Sequence, residues 1–204
     1  MKTPRRSWKC VLHAAASLAV IFSAACGSAP SGTAQTGGPL HSEMSDGQID
    51  LAMAYLIVGP GQDADGEAYV TNAADEPVDV LAVSVVPVPG EPAAHLAEAG
   101  VAATGAGVAT ARGWPPPAPV RKLVGGQLPQ GNSGIIFALT ATVTGKNYAV
   151  AGIKITYSYR GGQYSAIAWA GEAVCVAASD SANDPSCAPF ASEVNSVIQK
   201  LLPS

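Results

Sequence analysis

Ile135-Ile136-Phe137-Ala138-Leu139-Thr140-Ala141-Thr142-Val143 decides the fold class. Successive side chains of a strand point to opposite faces. Ile135, Phe137, Leu139, Ala141 and Val143 therefore share one face, while Ala138, Thr140 and Thr142 share the wetter one. Two more runs follow with the same period. In Tyr148–Tyr159, Ile153, Ile155, Tyr157 and Tyr159 alternate with Lys154, Thr156 and Ser158, and Gln163–Val176 carries Tyr164, Ile167, Trp169, Val174 and Val176. Gly161-Gly162 offers the positive φ angles of a tight hairpin turn. Ser133–Val176 thus reads as the core of an antiparallel sheet.

Working upstream, Ile49–Val58 is expected as the opening strand of the domain, with Ile49, Leu51, Met53, Tyr55 and Ile57 on one face. Glu67–Thr71 and Val78–Val88 are expected as the next two. Val78–Val86 is apolar almost throughout, the pattern of a strand covered on both faces. Pro87, Pro89 and Pro92 end it, because proline cannot donate to a ladder. Gly90–Gly131 is irregular: Leu96–Gly100 suits a helical turn, Gly107–Arg112 a short strand, and Arg121–Leu128 a strand bulged at Gly125-Gly126. Between them, Trp114-Pro115-Pro116-Pro117-Ala118-Pro119 should be extended polyproline. Trp114 has two readings, a lid over the end of the sheets or an exposed anchor for a partner. Downstream, Ser179–Ser186 is a polar loop, and Phe190, Val194, Val197, Ile198, Leu201 and Leu202 recur at helical spacing, so Pro189–Leu202 is expected as an amphipathic helix.

The N-terminus is an export signal. Lys2, Arg5, Arg6 and Lys9 precede the short apolar stretch Val11–Ala25, which is shorter than the ~20 residues of a spanning helix. Arg5-Arg6 also admits a twin-arginine reading. Removing those four cations leaves seven of the eleven basic residues against all fifteen acidic ones, a formal charge of −8. An acidic domain argues against nucleic acid and against electrostatic docking on anionic lipid. Cys10 and Cys26 belong to the signal and its end, leaving Cys175 and Cys187 as an even pair. In an oxidising space these should form a disulfide worth about 3 kcal/mol, pinning the helix to the last strand.

Reactive chemistry is sparse. His41 and His95 have no neighbouring Ser or Cys motif, and G-x-S-x-G, S-x-x-K, H-E-x-x-H and a P-loop do not occur. Asp63-Ala64-Asp65-Gly66-Glu67 has the flavour of a calcium loop, but the chain enters a strand where further oxygen ligands would be needed. Its carboxylates, like Asp75, Glu76 and Asp79, are expected as solvated turn residues. No metal site and no cofactor are expected.

Ser23-Ala24-Ala25-Cys26 resembles the lipobox of bacterial lipoproteins. That resemblance implies acylation of the Cys26 sulfur, cleavage before it and anchoring at the outer face of the cytoplasmic membrane. Ser23-x-Ala25 also satisfies ordinary secretory cleavage, which leaves a secreted protein as the alternative. Gly126-x-Leu128-Pro129-x-Gly131-Asn132-Ser133, together with the later run Tyr157-x-Tyr159-Arg160-Gly161-Gly162, resembles the later strands of bacterial immunoglobulin-like domains on exported proteins. It implies architecture and assigns no function.

The expected organisation is a signal peptide over residues 1–25, a flexible tether over 26–48, a β-sandwich over 49–178, and a disulfide-pinned loop and helix over 179–204. The fold is mainly β, an immunoglobulin-like antiparallel sandwich of about seven or eight strands plus the C-terminal helix. The function expected is a non-catalytic binding or scaffolding module for an envelope protein or polymer, touching the membrane through its lipid alone. Trp114, Pro115, Pro116, Pro117 and the loops around Asp63 are the expected contact surfaces. The alternatives are a metal-handling lipoprotein using His41, Met44, Met53 or His95, and a cell-wall enzyme using scattered carboxylates.

Overall fold

The structure is a computed structural model and describes residues 34–42, 44–45, 48–49, 53–102, 119–177, 185 and 187–203. Its strands are β1 (Leu40–Ser42), β2 (Met44–Ser45), β3 (Gln48–Ile49), β4 (Met53–Val58), β5 (Ala64–Asn72) and β6 (Val78–Pro87). They continue as β7 (Ala94–Ala102), β8 (Val120–Lys122), β9 (Gln127–Leu128), β10 (Gly131–Ala141), β11 (Tyr148–Tyr159) and β12 (Gly162–Val176), followed by helix α1 (Cys187–Gln199). One five-stranded sheet has the order β1-β5-β10-β7-β8, the other β4-β12-β11-β6-β9, and β2 pairs with β3 alone.

The three runs that begin at Ser133 form β10, β11 and β12, but they are not the core of one sheet as expected: β10 lies in the first sheet and pairs with β5 and β7, while β11 and β12 pair in the second. Their inward side chains meet in one core: Ile135, Phe137 and Leu139 of β10 oppose Tyr148, Val150, Ile153, Ile155 and Tyr157 of β11. Alternation produces this in β10, whereas β11 changes parity at the irregularity between Val150 and Gly152, so that Tyr148 and Val150 before it and Ile153, Ile155 and Tyr157 after it all face inward. The other face of β10 is not the wetter one expected, for Ile136 and Ala138 are also buried.

Other expectations are corrected. Among the described residues there are twelve strands, nine of them (β4 to β12) in the stretch where seven or eight are expected, because several two- and three-residue strands are too short to leave a periodic signal. The architecture is not wholly antiparallel: β4 runs parallel to β12, from Met53 beside Gly171 to Val58 beside Val176. Ile49–Val58 is not one strand but is divided between β3 and β4. Leu96–Gly100 is not a helical turn; it lies within β7, where pairing to β10 overrides local propensity. Val78–Val86 is not covered on both faces, as Leu81, Ala82 and Ser84 are exposed. Arg121–Leu128 is not a bulged strand. Leu123 is fully buried between the sheets, and the chain turns through Gly125, at φ 77°, to pass from β8 in one sheet to β9 in the other.

Residues 40–42, assigned by composition to the tether, instead form an edge strand on β5. The segment before them is stitched across to the second sheet. Gln35 N–H donates to the Gln163 carbonyl at 3.0 Å, Ser165 N–H donates to the Gln35 carbonyl at 2.8 Å, and Trp169 N–H donates to Ser42 Oγ at 3.0 Å. Leu40 is buried, and its N–H donates to the Tyr157 hydroxyl. This side of the sandwich is therefore closed.

Helix α1 lies over the outer face of the second sheet. Val194 and Ile198 pack with Ala149, Ala151 and Ala173, whose small side chains let the helix approach. The Cys175–Cys187 disulfide joins the last strand to the first residue of the helix across a Cα–Cα distance of 5.8 Å. The helix begins two residues earlier than Pro189, leaving that proline in the first turn, where its missing N–H removes no helical bond.

Candidate functional site

Opposite the closed side, the sandwich is open. The chain leaves β8 after Lys122 because Leu123 turns into the core, so β8 covers only Gly100–Ala102 of β7. Leu123 N–H still donates to the Ala99 carbonyl, but among the described residues no strand pairs with that edge of β7 at Ala94–Glu98. β9 likewise covers only Val78 and Asp79 of β6, with Val80 bonded to the turn at Gly125 and Gly126. Beyond Val80, the β6 edge facing away from β11 has no strand partner among the described residues.

A groove of about 580 Å³ lies here, lined by Leu96 to Gly100 of β7, Val120 and Lys122 of β8, Val124, and Val83 of β6. Its walls come from both sheets. A cleft over the face of a sheet is lined by alternate residues of a strand, whereas five consecutive residues mark a cleft along a strand edge. Lys122 and its neighbour Arg121 are exposed and have no ion pair among the described residues, and Glu98 is the one acid in the lining. Leu81 and Val124 are two of the exposed large hydrophobic residues, at 47% and 39%.

A second feature lies within the core. Glu172 of β12 is 1% exposed, over Gly66 of β5, where a side chain would strike Phe137 and Glu172 itself. Its Oε1 accepts from the Glu67 N–H at 3.2 Å, while Oε2 has no hydrogen-bond partner among the described residues. Burial raises this carboxyl from 4.5 to about 8; the Glu67 N–H opposes the shift, and the Glu67 charge adds to it. Asp65, also 1% exposed and with neither oxygen bonded, is raised to about 6 by burial and by Asp63. Tyr148, whose hydroxyl donates to the Leu139 carbonyl at 3.3 Å, is raised by burial and by Asp63, Asp65 and Glu172. A carboxyl kept protonated is a resource for acid catalysis only where substrate reaches it. Asp65 and Glu172 line neither the groove nor the smaller cavity of about 150 Å³ beside Asp63 and Tyr148.

The expected site residues divide accordingly. Cys175 and Cys187 are bonded to each other. Cys26, Trp114, Pro115, Pro116 and Pro117 lie outside the described residues. His41 and His95 are exposed on different strands, and no cluster of three metal-ligating side chains occurs among the described residues. Asp65 is not the solvated turn residue expected, because β5 begins at Ala64 and carries it out of the turn. Glu172 was legible only as a lone acid in the apolar run Ala170–Val176. The groove left no mark in sequence, since Leu96, Val83 and Lys122 meet only through the sheet order.

No protein-family profile and no curated protein matches the chain. Among solved structures, it is similar to the secreted serine protease VesC from Vibrio cholerae at 18% identity, with a TM-score of 0.28. The match covers 61% of this chain and 23% of that one, a likeness too slight to bear on fold or function.

Proposed function

We propose that the chain is an exported, non-catalytic binding module, anchored through Cys26 at the outer face of the cytoplasmic membrane, with an immunoglobulin-like sandwich as its scaffold. The observation that carries this reading is the groove between the open edges of β6 and β7. It combines apolar lining with a cation at Lys122 and strand edges that have no partner among the described residues, the attributes of a contact surface. The groove takes the place of the Asp63 loops as the preferred surface. Its partner belongs to the cell envelope, as the signal and the Cys26 context suggest.

The test is a photo-crosslinking amino acid placed at position 122 in the full-length protein in its native cells, with position 154 on β11 as the control. Lys154 is exposed, does not line the groove, and sits on β11, one strand in from the β6 edge. A defined adduct at 122 and none at 154 is expected. Equal labelling at both positions, or none at 122, removes the groove from the reading.

A further inference from the structure

Resting on that reading, we infer that the groove takes an extended polypeptide segment, which adds as a strand to the open edge of β6 and bears an acidic residue towards Lys122. Exposed sheet edges offer rows of N–H and C=O groups that another chain can pair with, and folded proteins usually blunt them with charge, proline or a bulge. The two walls of the groove differ in this respect. The β7 edge carries Glu98 and an irregularity in its pairing between Ala138 and Leu139 of β10. The β6 edge over Ala82–Val86 has neither. It reads Ala82-Val83-Ser84-Val85-Val86, without charge, proline or glycine, and pairs regularly with β11 from Thr156 to Gly152 on its other side. An apolar, regular edge of this kind, without a strand partner among the described residues, is an aggregation liability unless something covers it.

What covers it must be narrow and must bring backbone donors and acceptors. A second copy pairing through its own β6 is disfavoured. Antiparallel β6–β6 pairing places both β7–β8 walls on one side of the joined sheet, where the walls and their Arg121 and Lys122 residues converge. A single extended segment meets no such wall. Its alternate side chains would face the groove at Val83, Ala97 and Ala99, where small residues leave room. The charges agree: Arg121 and Lys122, without an ion pair among the described residues, stand at the β8 rim against the single acid of the lining, Glu98, on a chain that is acidic as a whole. The recognition is therefore strand addition, with the backbone supplying affinity and alternate side chains supplying selectivity.

The probe is a fluorescein-labelled heptapeptide, Glu-Val-Thr-Val-Thr-Val-Glu, titrated into the full-length protein by fluorescence anisotropy. A twin with alternate amides N-methylated keeps the side chains but cannot complete a ladder. Saturable binding is expected, weakened by about tenfold or more in the twin and in Ala97→Trp, and by about threefold in Lys122→Glu. Ala97 is exposed, and circular dichroism of each variant separates lost binding from lost fold. Hydrogen exchange over Leu81–Val86 should slow on adding the heptapeptide. Equal binding of the twin, no binding of the heptapeptide, or slow exchange arising instead from concentration-dependent dimers would each overturn strand addition. If the crosslink at position 122 forms in cells while the heptapeptide fails, the binding function stands and the partner class falls. If neither occurs, both fall.

Discussion

Glu172 sets the pH response of the fold. Its carboxyl titrates near 4.5 when unfolded and at about 8 in the folded core. The folded state therefore holds the proton more tightly, and stability must fall as pH rises between those values. Asp65, raised to about 6, adds a smaller effect of the same sign. As far as these groups decide it, the melting temperature should be highest below their unfolded values of 4.5 and 3.8, and should decline as pH rises towards about 8. Glu172→Gln, a neutral isostere, should flatten that decline and stabilise the protein by about 1–3 kcal/mol at alkaline pH. Thermal melts of both proteins across the range decide this, and an unchanged slope in the variant would assign the pH dependence elsewhere. Gly152 is a second sensitive residue. At φ 150° its position disfavours any side chain, and a Cβ would lie 2.3 Å from the Ala168 carbonyl oxygen. Gly152→Ala should destabilise by about 3 kcal/mol or more in urea unfolding, because backbone has to move to admit it.

Among the elements, helix α1 depends on its staple. The Cys175–Cys187 bond spans 12 positions, and the helix contributes Val194 and Ile198 to a small cluster separate from the main core. Cys187→Ser, like reduction of the wild type, should lower stability by about 2–4 kcal/mol. Limited proteolysis should then cut near α1 before the strands, because the small cluster alone holds it weakly. The β11–β12 hairpin was legible in outline, but its turn sits one residue earlier than Gly161-Gly162 suggests. Arg160 and Gly161 take the positive φ values of 47° and 77°, with Tyr159 paired to Gly162. The non-glycine residue is held there by two partners remote in sequence, Asp75 at 2.9 Å and Glu76 at 3.3 Å, and by the ring of its neighbour Tyr159 at 5.0 Å. These pairs are exposed and worth little individually, yet together they orient the side chain that occupies the turn.

For the whole molecule, anchoring and binding are separable. If Cys26 is acylated as proposed, Cys26→Ser should move the protein from the membrane fraction to the soluble one and abolish labelling by radioactive palmitate. The domain should keep its melting temperature, since among the described residues its bonded segment begins only at Gln35, beyond that residue. Membrane retention of the unlabelled variant would remove the anchor from the reading. Among the described residues no helix is long and apolar enough to cross a membrane. The open side of the sandwich then has a clear origin. A polypeptide closes one side with residues 35–42, bonded across to β12, and leaves the other unzipped because β8 and β9 end within three residues.

Strand identity over Ser133–Val176, the C-terminal helix and the cysteine pairing were determined by the sequence itself. Each rests on local periodicity, or on a cysteine count that leaves one pairing once Cys10 and Cys26 are set aside with the expected export signal. Which edge each strand meets was decided only in three dimensions. The parallel β4–β12 pair, the capture of Leu40–Ser42 by β5 and the conversion of Leu96–Gly100 from a possible helical turn into β7 all come from long-range pairing. The same holds for the candidate site. Val83, Leu96 and Lys122 carry no motif, and burial of Leu123 leaves the edges open around them. Hydrophobic period encodes which face of a strand is buried; it carries no information on which neighbour completes the hydrogen bonds along its edges.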